Sequence, residues 1–267
     1  MMMGLLGSGA GGGVISGGGG GFTPGGLGAN LIAWYQAAVS GSNTTVINTG
    51  STPATDTQTV VQWKDSTSNN QHIGASANKP VWNSTAFNGG PCVTFSAAGP
   101  TWLVGPSAPP SGLTAFSVFL YGNFTNSTAS YGRIFTTQVA GSADAATPTQ
   151  NYIPIIRQGS GSFVEAYQGG DVAAKAMTYA STSHHVIGSC WSGSSIATFV
   201  DGASASAASS FTMGTISWAL GAGVDSSLGI DTSSPFDGQI VEVIIANIDL
   251  SSQAAAIGTY FTTRWCS

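Results

Sequence analysis

Charged side chains are scarce in this chain of 267 residues, in which Asp, Glu, Lys and Arg together make up 6%. Only six residues are Lys or Arg, they are scattered along the sequence, and the formal net charge is −5. A surface that binds nucleic acid needs clustered basic side chains to neutralise phosphates, so nucleic acid is not expected as a partner. The shortage of Lys and Glu also removes good helix formers, which favours an all-β fold.

Long hydrophobic runs are missing as well. No stretch reaches the roughly 18 consecutive apolar residues of a membrane span, so none is predicted. The first six residues, Met-Met-Met-Gly-Leu-Leu, have no basic region before their apolar part, and a glycine interrupts them. They therefore do not predict a signal peptide.

Residues that bind metals or carry out redox chemistry are few. The three cysteines, Cys92, Cys190 and Cys266, form no Cys-x-x-Cys pair, which argues against zinc-knuckle and thioredoxin sites. Buried free thiols are the favoured interpretation, and one disulfide plus one thiol is the alternative. His184 and His185 are adjacent, so on a strand they point to opposite faces and cannot share a metal ion. No metal site and no cofactor is predicted.

Glycine, by contrast, is abundant, with 38 residues, and it is concentrated near the N-terminus. Half of residues 1–28 are glycine, and the segment carries a few isolated apolar side chains: Leu5, Leu6, Val14, Ile15 and Phe22. Such a segment is either a disordered tail or an arm whose apolar residues fill pockets on a partner. A plain linker does not need these apolar residues, so we favour a docking arm over 1–28 and one folded domain over 29–267.

The most strand-like run of the folded part is Gln239–Ala246, which contains five apolar β-branched residues. Both of its faces are mostly apolar, which predicts a strand in the middle of a packed sheet. Asp237-Gly238 predicts the turn before it. A helix is predicted after it, with Ser251 as N-cap and a single apolar stripe: Ile257, Tyr260, Phe261 and Trp265.

Other strands follow one another at hairpin spacing, separated by Gly, Ser, Asn and Asp. Those predicted after residue 113 are Phe116–Tyr121, Tyr131–Thr137, Tyr152–Arg157, Phe163–Tyr167, His184–Trp191, Ile196–Val200 and Ile216–Leu220. Asp201-Gly202 is a strong hairpin signal. Ten or more short strands with one terminal helix predict an all-β, two-sheet antiparallel sandwich.

Several segments resemble the concanavalin A-like (laminin-G-like) jelly-roll family, in matching order. They are Trp63-Lys-Asp-Ser-Thr-Ser-Asn-Asn-Gln-His72, Phe87-Asn-Gly-Gly-Pro-Cys-Val-Thr-Phe95, Phe199-Val-Asp-Gly202 and Phe236-Asp-Gly-Gln-Ile-Val-Glu-Val-Ile-Ile245. The resemblance covers about 29–267 and implies a jelly-roll sandwich. Within the family it is greatest to modules of bacteriophage structural proteins, which often carry a short Gly-rich head. The acidic turn of the family is replaced by Ser96–Trp102, which removes the expectation of a calcium ion there.

Catalytic carboxylates are not recognisable. Glucanases of this family place Glu-x-Asp-x-x-Glu on one strand, and no such run is present. The only two glutamates, Glu165 and Glu242, are far apart in sequence, whereas glycoside hydrolysis needs two carboxylates about the scissile bond. Glu242, among apolar neighbours, is interpreted as a structural carboxylate bonded to a loop or to Arg264. The sequence therefore predicts no catalytic residue and no enzyme.

Aromatic residues could stack on a sugar ring if they are exposed. The candidates are Trp102, Tyr131, Tyr167 and Trp218. Aromatic side chains of a sandwich lie more often in the core, and no spacing singles these four out.

Two main functions follow as hypotheses. The leading one is a non-enzymatic structural protein of a bacteriophage virion, on the head as decoration or fibre, or on the tail. Its outward-facing module would be anchored to capsid or tail proteins by residues 1–28, and copies would form a homo-oligomer on the particle surface. The alternative is a carbohydrate-binding adhesin, on a virion or extracellular, that recognises a cell-surface glycan. A degenerate glycan hydrolase using Glu242 is a third, weaker hypothesis.

Overall fold

The computed structural model describes residues 21–39, 42–75, 77–105, 110–125, 131–139, 155–159, 163–168, 172–178, 183–208, 216–224, 230–231 and 235–266. Over these ranges the chain is a sandwich of two antiparallel sheets with one α-helix near its C-terminal end. The predicted all-β, two-sheet antiparallel class is therefore confirmed.

The first sheet has eight strands in the described chain: β1 (Leu31–Gln36), β6 (Val81–Phe87), β7 (Gly90–Phe95), β9 (Phe116–Asn123), β14 (His184–Trp191), β15 (Ser195–Val200), β16 (Ala203–Ala208) and β20 (Gly238–Ala246). The second sheet has ten: β2 (Val46–Thr49), β3 (Thr52–Pro53), β4 (Gln62–Trp63), β5 (Ile73–Gly74), β8 (Leu103–Gly105), β10 (Tyr131–Val139), β11 (Ile155–Gly159), β12 (Phe163–Gln168), β13 (Val172–Thr178) and β17 (Ile216–Leu220). A short pair is formed by β18 (Gly223–Val224) and β19 (Ile230–Asp231). The helix α1 is Ala254–Trp265, and 3-10 turns occupy Pro24–Asn30 and Ser251–Gln253.

The strand β20 lies at the centre of the first sheet, as its sequence predicts. It pairs with β9 on one side and with both β7 and β1 on the other. Its five β-branched apolar side chains are all fully buried. Because both faces of this strand are apolar, it requires a position inside the sheet, with a neighbouring strand on each edge and apolar side chains packed against each face.

The hairpin predicted at Asp201-Gly202 is confirmed, since these two residues connect β15 to β16. Asp201 has φ +49° and Gly202 has φ +84°, the left-handed pair of a two-residue type I′ turn. The Asp201 side chain also accepts a hydrogen bond from the Val186 amide at 2.9 Å and lies 2.6 Å from His185 Nδ1. The turn is therefore tied to the neighbouring strand β14.

The core lies between the two sheets and contains large aromatic side chains from both. Phe116 of β9 stacks on Phe135 of β10 with ring centroids 6.4 Å apart. The indole of Trp218 in β17 donates to the Tyr35 hydroxyl of β1 at 3.2 Å. These contacts join the two sheets. The indole N–H and the hydroxyl are both buried, and each has a hydrogen-bond partner.

The polar turn after β4 is stabilised by hydrogen bonds from its own side chains to the backbone. The Asp65 carboxylate accepts backbone N–H bonds from Trp34 at 2.9 Å, Thr67 at 2.9 Å and Gln71 at 3.1 Å. The Asn69 amide donates to two carbonyls of β1 at 2.7 and 3.0 Å. The first motif of the family resemblance therefore fastens this turn to β1, and its polar side chains are used within the fold.

Packed structure begins before residue 29. Pro24 and Leu27 in the first 3-10 turn are buried, and Phe22 is half-buried against Tyr260 of α1, with ring centroids 5.8 Å apart. Residues 21–28, which the sequence assigns to the arm, thus lie on the domain. Leu5, Leu6, Val14 and Ile15 lie outside the described residues.

The helix carries the predicted apolar stripe, but its start is corrected. Ile257 and Phe261 are fully buried, and Phe261 stacks on Tyr121 of β9 with centroids 5.7 Å apart. Ser251, predicted as N-cap, lies inside the second 3-10 turn, and its own amide is capped by Asp249 Oδ1 at 2.9 Å. An Asp two residues earlier can form this Asx turn, which displaces the start of α1 to Ala254.

All three cysteines are free thiols. Cys92 and Cys190 are buried, as predicted, whereas Cys266 is exposed, since it follows the last turn of α1. In the described part of the chain, no helix is long and apolar enough to span a membrane.

Candidate functional site

A buried carboxylate attaches α1 to the first sheet. Glu242 of β20 is fully buried, and its Oε1 accepts hydrogen bonds from Trp34 Nε1 at 2.5 Å and from the Tyr260 hydroxyl at 2.7 Å. Its Oε2 accepts from Trp265 Nε1 at 2.5 Å and lies 3.4 Å from Arg264 Nε. We call these five residues the Glu242 cluster. Both carboxylate oxygens are occupied, so this glutamate has a structural role.

Arg264 completes the cluster at the protein surface. It donates to the Tyr260 hydroxyl at 2.8 Å, and its guanidinium lies 5.6 Å from the Trp34 ring and 5.2 Å from the Trp265 ring. When the Gln36 side-chain amide is oriented so that both its oxygen and its nitrogen form hydrogen bonds, the oxygen accepts from Arg264 Nη1 at 3.1 Å. The sequence suggested a loop or Arg264 as the partner of Glu242, and the structure shows Arg264. The sequence did not reveal the donor Trp34, which is 208 residues away from Glu242 along the chain.

Burial raises the pKa of Glu242 above its ordinary value of 4.5, although Arg264 and the aromatic donors oppose this effect. The native state therefore binds this proton more tightly than the unfolded state does. Between about pH 4.5 and the raised pKa, the native state holds more protons, so the contribution of Glu242 to the free energy of unfolding falls as pH rises.

Glu242→Gln replaces the carboxyl by a group that does not titrate. We expect the unfolding free energy of the parent to fall relative to that of Glu242→Gln as pH rises, when both are measured by urea titration from about pH 4 to about pH 8. A difference that grows in favour of the parent would contradict a raised pKa.

A groove runs between α1 and the outer face of β14, β15 and β16. It consists of two hollows on the same face of the sheet, one of about 330 Å³ beside the second 3-10 turn and one of about 440 Å³ beside α1, and we call them together the α1 groove. The first hollow is lined mainly by serines: Ser192, Ser195, Ser204, Ser206, Ser251 and Ser252. The second lies between His184, Asp201 and the helix residues Ala255, Gly258 and Thr262. The lining residues of α1 extend from Ala255 to Thr262, which is about 10 Å at 1.5 Å per residue.

The sequence of β16 explains why the groove stays open. In Ala203–Ala208, serine alternates with alanine, so Ser204 and Ser206 share the outer face of the strand. Ala197 of β15 faces the same way in the first hollow, and Ala255 and Gly258 line the second hollow. These side chains are too small to fill the space between helix and sheet.

The groove carries negative and neutral groups. Asp249 lines the first hollow and Asp201 the second, and no Lys or Arg is among the described residues that line either. Burial, with a smaller effect of His185, lowers the pKa of His184 below its ordinary 6.5, so this imidazole is neutral at pH 7. Burial raises the pKa of Cys190 to about 12, so this thiol in the groove stays protonated. The groove thus offers hydroxyl groups and disfavours anions.

A different hollow lies against a neighbouring face of the helix, and Thr259 lines both this hollow and the second hollow of the α1 groove. It has a volume of about 570 Å³ and is lined by Gly21, Phe22, Thr23, Ala256, Thr259, Tyr260, Thr263 and Arg264. We call it the Tyr260 hollow. Two aromatic rings, an alanine and threonine methyl groups form most of its wall, so it suits an apolar occupant.

Of the aromatic residues proposed from sequence for sugar stacking, only Trp102 and Trp218 have side chains among the described residues, and these two do not form a common site. Trp218 is fully buried, and its indole N–H is used inside the core, so its assignment to sugar stacking was wrong. Trp102 is half-buried just before β8 and does not line the α1 groove. Tyr131 and Tyr167 belong to β10 and β12, and their side chains lie outside the described residues.

The groove itself was missed from sequence. Its available signals were the alternating Ala-Ser run of β16 and the pair Ser251-Ser252, both of which resemble ordinary low-complexity sequence. Among the described residues, no three His, Cys, Asp or Glu side chains come together as a metal site.

No family model and no curated protein sequence matches this chain. Solved structures match it by fold. Domain 4 of AbnA, a GH43 extracellular arabinanase from Geobacillus stearothermophilus, in complex with arabinotriose, aligns with TM-score 0.54 and 15% identity over 86% of this chain and 98% of that domain. Trypanosoma rangeli sialidase in complex with sialic acid aligns with TM-score 0.53 and 9% identity over 88% of this chain, but over only 33% of the sialidase.

Botulinum neurotoxin type C, whose cell entry depends on interaction with two ganglioside molecules, aligns with TM-score 0.52 and 12% identity over 86% of this chain and 51% of the neurotoxin chain. The chain therefore spans about a third to a half of the sialidase and neurotoxin chains. These likenesses show a shared sheet-rich sandwich. They agree with the sandwich implied by the resemblance found in the sequence, but they show neither the concanavalin A-like family nor a link to bacteriophage proteins.

Proposed function

We propose that the chain is a non-enzymatic carbohydrate-binding module and that the α1 groove holds a neutral oligosaccharide. The observation that carries this proposal is a long groove with six serines, two carboxylates and no described basic residue. Three structural neighbours support it in a general way, because their names link them to arabinotriose, sialic acid and gangliosides.

The lining of the groove suits sugar hydroxyls. A serine hydroxyl both donates and accepts hydrogen bonds, and a carboxylate accepts two or more, so the wall can match many hydroxyl orientations. The small side chains let a ring approach the sheet closely. Phe199 in the first hollow and His184 in the second add flat surfaces against which sugar C–H groups can pack. Asp201 and Asp249 repel acidic sugars, so a neutral glycan fits best.

The carboxylates of the groove support binding more than hydrolysis. Asp249 lies beside Ser251 at the start of the helical segment, whereas Asp201 faces the later residues of α1 in the other hollow. They do not flank a common point, as the acid and base of a glycosidase must. Glu242 is fully buried with both oxygens in use, so it is not free to act as an acid.

The test compares two adjacent substitutions on α1. Ala255→Trp fills the second hollow of the groove, whereas Ala256→Trp points into the Tyr260 hollow. On an array of neutral oligosaccharides that includes arabinotriose, we expect the parent to bind, and calorimetry to show affinity reduced at least about tenfold, or 1.4 kcal/mol, only in Ala255→Trp. Sialylated glycans are the acidic comparison and should bind more weakly. An array without a neutral ligand, or equal binding by parent and Ala255→Trp, would refute the proposal.

The virion role remains a separate prediction. It rests on the family resemblance and on residues 1–28, of which 1–20 lie outside the described residues. Carbohydrate binding is compatible with display on a virion or with an extracellular location, and incorporation into a particle would have to be measured directly.

A further inference from the structure

We propose that the outer edge of β16 is a dimer interface, at which β16 of a second copy of this chain pairs with it antiparallel across a two-fold axis. In the described chain, β16 is the last strand of its sheet and pairs only with β15. The inference does not rest on glycan binding. Pairing uses backbone groups in the plane of the sheet, whereas the side chains of Ser204 and Ser206 point out of that plane into the α1 groove.

The backbone of β16 carries hydrogen-bonding groups that no described residue engages. Val200 and Ala203 close the two-residue hairpin, so their backbone groups bond to each other. Because such pairing alternates along an antiparallel strand, the N–H and C=O groups of Ser204, Ser206 and Ala208 point away from β15. These three residues are exposed, and no hydrogen bond from the described chain reaches their outward groups. A row of free donors and acceptors is a template for an added strand.

The other edges of the same sheet are covered by backbone. Along β1, the polar turn after β4 closes the edge, and the Ser66 amide donates to the Trp34 carbonyl at 2.8 Å. Along β6, the Thr57 amide donates to the Trp82 carbonyl at 2.9 Å, and the Trp82 amide donates to the Gln58 carbonyl at 2.9 Å. Neither strand can accept another chain without losing these bonds.

The edges of the second sheet have the usual features that oppose pairing. The edge strand β3 has only two residues and ends in Pro53, which has no N–H to donate. The edge strand β13 includes Lys175 in its sequence, and it lies against β16 without pairing with it. Short length, proline and lysine each discourage strand addition. β16 has none of these features, since its six residues are only alanine and serine.

The composition of β16 favours a second copy over a different partner. A two-fold axis places a strand against itself, so any charge on it would face its like, and β16 carries none. The run Ala-Ser-Ala-Ser-Ala also has the same sequence in both directions. Pairing centred on Ser206 uses all the outward groups, because it places Ser206 opposite Ser206 of the partner subunit and Ser204 opposite Ala208 of the partner subunit. A charged peptide would find no complementary charge on this strand.

The experiment measures association of the full-length chain by sedimentation velocity from about 1 to about 100 µM, since a contact this small is expected to be weak. We expect the parent to dimerise within this range. Ser206→Lys should raise the dimer Kd at least about tenfold, because two lysines would face each other across the axis. Ser206→Pro removes the outward N–H, leaves the bonds to β15 in place, and should act in the same direction. Ser206→Ala keeps the N–H and adds no charge, so it should leave Kd unchanged.

Two further measurements locate the contact. Thr52→Lys adds the same charge to the exposed edge strand β3 and should leave the dimer intact. Hydrogen exchange at the amides of Ser204, Ser206 and Ala208 should slow as the parent concentration rises, and this slowing should be lost in Ser206→Lys. A parent that stays monomeric over the whole range, or a dimer that ignores Ser206→Lys, would overturn the proposal. Slow exchange of these amides at every concentration would also overturn it, in favour of an edge covered by the chain itself.

Discussion

Glu242→Ala is expected to lower the free energy of unfolding by about 3–5 kcal/mol, the usual effect of removing one partner from a buried ion pair. The substitution leaves the indole N–H groups of Trp34 and Trp265 and the Tyr260 hydroxyl without their acceptor, and Arg264 without its counter-ion. Urea unfolding measures the loss. Hydrogen exchange should show the earliest opening in α1, because this carboxylate links the helix to β20 and β1.

The matched control is Asp56→Ala, which removes an exposed carboxylate that accepts hydrogen bonds from the Ser84 amide at 2.7 Å and hydroxyl at 2.9 Å. Its effect should be much smaller, because water replaces both partners. If the two substitutions cost the same, the Glu242 cluster does not hold the helix in place. Because α1 is a wall of the α1 groove, Glu242→Ala should also weaken glycan binding.

Trp218→Ala is expected to cost about 3–5 kcal/mol, as for other fully buried large side chains. The indole lies between the sheets and donates to the Tyr35 hydroxyl, which itself donates to the Gln71 carbonyl, so its removal leaves a cavity and takes away one of the two hydrogen bonds of that hydroxyl. Trp102→Ala is the control, and it should cost clearly less because Trp102 is only half-buried.

Glycan binding separates a core role for Trp218 from a sugar-stacking role. At a temperature where Trp218→Ala is still folded, its affinity for a neutral oligosaccharide should equal that of the parent. A stable Trp218→Ala variant that has lost glycan binding would contradict the placement of this residue in the core. The same measurement on Trp102→Ala tests the remaining described aromatic candidate, which lies outside the α1 groove.

The fold class could be predicted from sequence because local patterns specify it. The β-branched run of β20 cannot satisfy both of its apolar faces except within a packed sheet, and the structure places it there. The pair Asp201-Gly202 has the residues that a left-handed two-residue turn accepts, and it forms that turn. The stripe from Ile257 to Trp265 likewise required one helix face to pack on the sheet.

The candidate sites depended on long-range packing, which such patterns do not contain. Trp34 and Glu242 meet across 208 residues because β1 and β20 are neighbours in the sheet, and only pairing and register determine that contact. The alternation of side chains along β17 places Trp218 on one face of the strand. Which of the two faces is buried depends on where the other sheet packs. The serines of β16 and the helix line one groove only after α1 is fixed by the Glu242 cluster. Sequence alone determined the all-β class, the strand β20, the turn at Asp201-Gly202 and the apolar stripe of α1, because those depend on neighbouring residues. Tertiary structure alone decided which side chains share a cavity, because that depends on how distant elements pack.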